Sequence, residues 1–386
     1  MKIQLWVPGL FDFKGGIQVF SGDLLKALQE ILPEVSLSVF ILHDRKRVVP
    51  SSSSSPKTKH YYSGHWPASI RNLAFSAQIV AAAAVSRPDL IITTHLNFTP
   101  VAKLLKDLLG VPFWAVAHGV EAWNIEKNTI KVALHSADRI LSVSEYTRQR
   151  LIQAQQISFD KISIFPNTVN ATAFTSGPKS PALLQKYGIT AQQPVILTVC
   201  RLCASEVFKS YDVVLEALAD IRCSIPTIHY LLVGKGDDAS RVRQRVNELG
   251  LNNCVTLAGF VPDEALCEHY RLCDVFALPG KLEGFGIVYL EAMACGKPTL
   301  GSNQDGALDA LDHGRLGPVV NPDDIKAIST ALIDILKREH ANTVLYEPQR
   351  LRAEMLALFS FDSFKRRLAV CLSQADELTE PLKRLS

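Results

Sequence analysis

Short apolar runs alternate along the chain with longer stretches whose apolar residues recur every third or fourth position. The runs at 3–7, 35–42, 90–94, 113–117 and 137–144 are apolar almost throughout, as expected of strands covered on both faces. Between them, Val19, Phe20, Leu24, Leu28 and Ile31 predict an amphipathic helix over 17–32, and 68–85 and 100–109 predict two more. The pattern starts afresh at 195–199. It continues with helix 211–221, strand 229–233, helix 239–249, strand 255–258, strand 298–301 and helix 325–337. Alternation of this kind predicts parallel sheets with helices on both faces, arranged here as two similar halves without a fixed-period repeat.

Two stretches interrupt it. Residues 44–64 hold five consecutive serines from Ser51 to Ser55 beside lysines and prolines, and are expected to form a long exposed loop. Residues 171–194 mix Ser, Gly, Pro and Lys with short apolar runs and are expected to be a linker. The predicted domains are therefore 1–175 and 190–360, with a last helix carrying Lys365, Arg366 and Arg367 returning to the first domain as 361–386. At 386 residues the chain exceeds the roughly 250–300 at which a single core stops growing, which independently favours two domains.

Composition narrows the class. Hydrophobic residues make up 47% and charged residues 20%, as in a well-packed globular protein, and a net charge of +3 gives no ground for nucleic-acid binding. No run of about 18 uninterrupted apolar residues occurs, and residues 1–7 read as a strand rather than a leader, so a cytoplasmic protein is expected. All eight cysteines lie from Cys200 onward. Cys200 and Cys203 form a C-x-x-C, but a zinc site wants a second close pair; Cys267 and Cys273 stand six apart on a predicted helix without a His partner. Reduced thiols and no metal are expected.

The candidate chemistry gathers at strand ends, where parallel sheets bind ligands. The stretch 279–298 places Glu283 eight residues before Glu291, with Gly284 and Gly286 opening a helix that stops at Gly296 before Pro298. A first helical turn offers unpaired N–H groups and a positive dipole end, and a carboxylate matches a pair of vicinal hydroxyls. Alone, the two acids read as a dipole partner at Glu283 and a solvated face residue at Glu291. Gly15 and Gly16 end the loop after the first strand, and either a close ligand or an ordinary turn would explain them. His118 follows strand 113–117, and His95 follows strand 90–94 as a weaker candidate. Arg201 stands after strand 195–199 and Lys209 at the head of the next helix, so two cations can converge on one anion or simply face water.

Taken together, Gly15-Gly16, His118-Gly119, Pro166-Asn167, Arg201 with Lys209, and Glu283-Gly-Phe-Gly-Ile-Val with Glu291 resemble, in order and nearly over the whole chain, glycosyltransferase family 4. The resemblance implies a GT-B fold, two Rossmann-like doubly wound parallel-sheet domains facing a central cleft, with the donor nucleotide in the second domain and the acceptor mostly in the first. It further implies that Arg201 and Lys209 hold the donor diphosphate, Glu291 the ribose hydroxyls, and Glu283 with the backbone of Phe285, Gly286, Ile287 and Val288 the donor sugar and its phosphate. Gly15 and Gly16 would approach the diphosphate, Phe260 and Val261 would line the base, and His118 would contact the transferred sugar. Cys200 departs from a frequent glycine, and the interval from Arg201 to Lys209 is longer than in many members.

The implied activity is a retaining hexosyl transfer from a nucleotide-diphosphate sugar, carried by UDP or GDP, to a carbohydrate or lipid-linked acceptor, with no metal and no resident cofactor. Two rivals use the same architecture: a sugar-nucleotide 2-epimerase, whose acid and base carboxylates are not identifiable in the first domain, and a non-catalytic sugar-nucleotide-binding protein. Basic residues between Arg45 and Lys59 and the pair Lys103 and Lys106 could rest peripherally on an anionic inner membrane face or be solvated surface.

Overall fold

The structure is a computed structural model that describes residues 1–12, 15–45, 57–205 and 210–383. Two compact units result, Met1–Thr168 with Phe361–Ser386, and Val169–Ser360. In the first, β1 (Lys2–Val7), β2 (Ser36–Ile41), β3 (Thr58–Tyr62), β4 (Leu90–Thr93), β5 (Phe113–Ala117), β6 (Arg139–Ser142) and β7 (Ile162–Ile164) form one parallel sheet in the order 3-2-1-4-5-6-7. In the second, β8 (Val195–Val199), β9 (His229–Val233), β10 (Val255–Gly259), β11 (Val275–Ala277), β12 (Thr299–Ser302) and β13 (Val319–Val320) form a parallel sheet in the order 10-9-8-11-12-13. Both are doubly wound Rossmann-like sheets.

The order in which strands are added reverses at the neighbours β1 and β4 and again at β8 and β11. These switch points open crevices at the carboxyl ends of their strands. The loop ending in Gly15 and Gly16 follows β1, His95 stands just beyond β4, Arg201 follows β8, and the glycine loop before Ile287 follows β11. The core is built where apolar strands meet apolar helix faces: Trp6, Phe40 and Phe113 pack with Phe75 and Ile79 of the helix Ala68–Val85 in one unit, and Leu232 and Val275 with Tyr211 and Leu332 in the other.

Two expectations are corrected. The stretch 44–64 is not loop throughout, because β3 pairs with β2 from Leu37↔Thr58 to Ile41↔Tyr62, and Tyr61 stacks on Phe40 at 4.6 Å. An edge strand needs only one apolar partner and keeps lysines on its free side, so its composition resembles a loop. Lys46, Arg47 and the serine run lie outside the described residues. Nor is 171–194 a separate linker. It belongs to the second unit, whose boundary is at Val169 rather than near 190. There Phe174 meets the edge of Tyr270, Arg271 binds the Thr175 carbonyl at 2.8 Å and hydroxyl at 2.6 Å, and the helix Pro181–Tyr187 places the Tyr187 hydroxyl 2.9 Å from His269 Nε2. Each contact joins a single side chain to a distant helix, Asp263–Leu272, and leaves no periodic trace.

The helix Phe361–Lys383 packs in the first unit, where Phe364 meets Phe20 and Phe165 edge-on at 5.6 and 4.5 Å and Lys365 reaches Glu30 at 2.8 Å. Among the described residues one helix, Ala68–Val85, is long and apolar enough to cross a membrane by length and composition. Its Phe75, Ile79 and Ala83 are nevertheless buried against the first sheet.

Candidate active site

In the second unit the glycine loop after β11 is held from both sides. The Glu283 N–H donates to Asp305 Oδ2 at 3.1 Å, the Gly306 N–H donates to the Glu283 carbonyl at 2.7 Å, and the Ala307 N–H donates to Asp305 Oδ1 at 3.0 Å. Asp305 is completely buried, and that desolvation, with the nearby Glu283 charge, raises its carboxyl well above the usual range. Gly306 allows the close approach, since a Cβ there would lie 2.0 Å from the Gly284 carbonyl oxygen. The loop ends at Gly286, whose φ of +88° and ψ of +78° suit glycine, and the helix Ile287–Ala294 begins.

The N–H groups of Ile287 and Val288 open that helix and have no carbonyl one turn earlier within it. One turn on, Glu291 Oε2 accepts the hydroxyl of the buried Tyr270 at 2.7 Å, so one carboxylate oxygen is oriented by the core. Phe285 is different: its ring is buried edge-on against Phe359 at 5.4 Å, so it can offer a ligand backbone only.

Arg201 is exposed just after β8. Lys209, its expected companion, lies outside the described residues. The loop bearing Arg201 is tied to the loop after β9, because Leu202 N–H donates to the Lys235 carbonyl at 3.1 Å and Asp238 N–H to the Leu202 carbonyl at 3.2 Å. Gly234 and Gly236 serve this contact, for a Cβ on either would lie 1.8 Å from the Cys200 carbonyl oxygen or 1.6 Å from that of Leu202. Of the two residues expected near the base, Phe260 shows its ring to solvent at 62% exposure while Val261 is buried. Lys235 Nζ sits 4.3 Å over the Phe260 ring, a cation beside a stacking surface that the sequence reading did not single out.

In the first unit, Gly15 precedes the helix Gly16–Ile31 in an extended conformation, and a Cβ on Gly16 would meet nothing within 4 Å. The same helix carries Phe20, which touches the His118 ring edge-on at 4.9 Å, and Ser21, whose Oγ lies 2.7 Å from Thr94 Oγ1. His118 follows β5; its N–H donates to Glu121 Oε1 at 2.6 Å and its Nε2–H to the Thr94 carbonyl at 3.0 Å. Glu121, raised by burial and held down by backbone N–H groups of its own turn, thus positions His118, a role without a sequence signature.

Burial lowers the His118 imidazole to about 3, only partly opposed by the Thr94 hydrogen bond and aided by His95. It is a neutral ring with hydrogen on Nε2 and the lone pair on Nδ1. Nitrogen-detected NMR should show that tautomer unchanged from pH 8 to pH 5, and a titration of His118 near 6.5 would contradict the geometry. Because the folded value lies below the unfolded 6.5, the unfolded chain binds the extra proton first. The contribution to stability is complete above pH 6.5 and is lost progressively as pH falls toward 3. Among the described residues no three His, Cys, Asp or Glu side chains are grouped to hold a metal ion, and all eight cysteines are free.

Residues 14–173 match the family model Glycosyltransferase Family 4, and residues 180–352 match Glycosyl transferases group 1. The GDP-mannose-dependent alpha-(1-6)-phosphatidylinositol monomannoside mannosyltransferase of Mycolicibacterium smegmatis is 31% identical over 234 residues, 58% of this chain and 60% of that protein. The chain thus matches about three fifths of that relative's length. The D-inositol 3-phosphate glycosyltransferase of the same organism is 27% identical over 313 residues, 75% of this chain and 68% of that one. Among solved structures, sucrose-phosphate synthase from Thermosynechococcus elongatus superposes with a TM-score of 0.78 at 22% identity, covering 98% of this chain and 99% of that one. Anabaena HepE in complex with UDP-glucose gives 0.74 at 20% identity, covering 97% and 100%. At these identities the structural likeness speaks for the fold.

Proposed function

The chain belongs to glycosyltransferase family 4 and has the GT-B fold, and from that premise we propose that it transfers a hexosyl group from a UDP- or GDP-sugar to a carbohydrate or lipid-linked hydroxyl with retention of configuration. The observation that carries this reading is the loop and helix from Glu283 to Glu291: one acid is fixed through its backbone by Asp305, the other through its side chain by Tyr270, and free N–H groups lie between them. That combination suits a phosphate and vicinal hydroxyls together.

In the proposed step the bond from the anomeric carbon to the diphosphate oxygen breaks while the acceptor oxygen bonds to that carbon on the same face. The acceptor proton passes to the departing diphosphate. Arg201 and Lys209 stabilise the charge that develops on the leaving group, a task two cations can perform without a metal. His118, neutral throughout, accepts rather than donates a proton in any hydrogen bond made by Nδ1, which fits a contact to a hydroxyl of the transferred sugar and not general acid catalysis. Gly15, Gly16 and the Phe260 ring complete the proposed donor contacts, with Lys235 added beside the ring.

Thermal-shift screening of UDP-, GDP- and ADP-sugars, followed by acceptor-free incubation of the stabilising donor, tests the proposal. Slow release of the nucleoside diphosphate with free sugar is expected. An isomerised nucleotide sugar would replace the reading with epimerisation, and stabilisation by no donor would remove it.

A further inference from the structure

Two of the eight free thiols touch. Cys267 Sγ lies 3.9 Å from Cys295 Sγ, although the residues stand on different helices. Cys267 is on the helix Asp263–Leu272, one turn before Tyr270, and Cys295 ends the site helix Ile287–Ala294, one turn after Glu291. Residues one turn apart share a helix face. The two helices therefore meet at neighbouring contacts, Tyr270 on Glu291 at 2.7 Å and Cys267 on Cys295. The Cys295 backbone N–H donates to the Glu291 carbonyl at 3.1 Å, which joins one contact to the other.

A short segment holds both sulfurs in place. Arg352 donates to the Ala294 carbonyl at the end of the site helix and to the Phe174 carbonyl, while Arg271 and the Cys267 S–H donate to the Thr175 carbonyl at 2.8 and 3.7 Å. With the Cys267 hydrogen on Thr175, the hydrogen between the sulfurs belongs to Cys295. Access to the two thiols differs. Cys267 is half-buried, whereas Cys295 is 1% exposed, and burial followed by the neighbouring Cys267 raises the Cys295 thiol above its ordinary range. A small oxidant in solvent thus meets Cys267 first, with Cys295 behind it as the resolving partner. Cys273, a third thiol nearby, is fully buried, gives its S–H to the Tyr270 carbonyl at 3.2 Å and is pushed up to about 12 by burial, so it takes no part.

We propose that Cys267 and Cys295 form a site of reversible oxidation by hydrogen peroxide, and that closing it loosens the hold of Tyr270 on Glu291. The Cys267 sulfur attacks one peroxide oxygen, the O–O bond breaks, and the departing hydroxide takes the Cys267 proton, leaving a sulfenic acid and water. The Cys295 sulfur then attacks the Cys267 sulfur, the S–O bond breaks, and hydroxide leaves with the Cys295 proton as a second water. Two thiols are oxidised by two electrons and one peroxide is reduced. A disulfide needs its sulfurs at about 2.0 Å, so closure from 3.9 Å draws them together by about 2 Å. What side-chain rotation does not absorb shifts one helix against the other one turn from Tyr270, and its hydroxyl is drawn off Glu291 Oε2. The bond itself is independent of the transferase reading; its effect on the donor rests on the role proposed for Glu291.

Peptide mapping of the full chain after peroxide treatment, with remaining thiols alkylated, is expected to recover the Cys267 and Cys295 peptides joined, and dithiothreitol to separate them. Calorimetric titration with UDP and with GDP should show affinity for the nucleotide that binds falling roughly tenfold on oxidation and returning on reduction. Cys267→Ser, at the half-buried position, and Cys295→Ala should each bind as the reduced protein does and lose the response to peroxide. Three results would overturn the proposal: Cys267 carried on to sulfinic acid with no joined peptide, a joined peptide holding Cys273 in place of Cys295, or an equal loss of affinity in Cys267→Ser, which would place the effect at another thiol. A joined peptide with unchanged nucleotide affinity would refute the coupling to Glu291. If the reduced protein binds neither nucleotide, the donor-site reading has failed, while the mapping still decides the disulfide.

Discussion

Gly286→Ala is expected to lose turnover by roughly a hundredfold or more and to lower stability by about 2–4 kcal/mol. Two costs combine. At a φ of +88° an alanine pays the left-handed penalty of about 1 kcal/mol or more, and its Cβ would sit 2.5 Å from two ring carbons of Tyr289. That ring cannot swing aside, because it is fully buried and its hydroxyl is bonded to the Leu278 carbonyl at 2.6 Å. The strain is therefore relieved by moving the loop, which displaces Glu283 and the N–H groups of Ile287 and Val288, and small displacements of positioned groups are costly in rate. Gly16→Ala is the contrast: no atom lies within 4 Å of the added methyl, so its melting temperature should stay in place. Thermal unfolding and kcat/KM measured on both variants check the pair. A Gly286→Ala protein with normal melting and normal turnover would mean that the loop plays no part in the reaction.

Arg201→Ala should leave the fold within about 0.5 kcal/mol of its original stability and reduce kcat by roughly a hundredfold to a thousandfold. Arg201 is exposed at a strand end, and main-chain bonds from Leu202 and Asp238 hold its loop. What it is proposed to contribute is charge on the departing diphosphate, which grows toward the transition state and so affects kcat more than donor binding. Arg201→Lys should recover part of the loss, since it restores the charge but not the two-pronged geometry. Steady-state kinetics with saturating donor decide this. An unchanged kcat would reassign the leaving-group role.

The two glycine pairs show how far local sequence can be read. Gly234 and Gly259 carry the same signature, a glycine at a strand end with positive φ, yet at Gly234 the Cys200 carbonyl also passes 1.8 Å from where a Cβ would be, whereas Gly259, at a φ of +72°, has open space around it. A glycine announces a backbone requirement but not which one. His118 is a similar case. Its place after β5 follows from the apolar run before it, but its orientation and tautomer depend on Phe20, Thr94 and Glu121, which come from three separate segments.

The alternation of apolar runs with helical stretches was by itself sufficient to define two Rossmann-like halves, because strand burial and helix amphipathicity are written in neighbouring residues. The spacing from Glu283 to Glu291 around Gly286 was legible for the same reason, as a turn and a helix start depend on adjacent positions. Only the folded chain decided that Asp305 and Tyr270 would orient those acids, that β3 would join the sheet edge, and that Cys267 would touch Cys295. Each of these residues is ordinary in its own stretch. Their roles arise from pairings across tens of positions, and no local preference of the backbone encodes which distant side chain a buried hydrogen bond will meet.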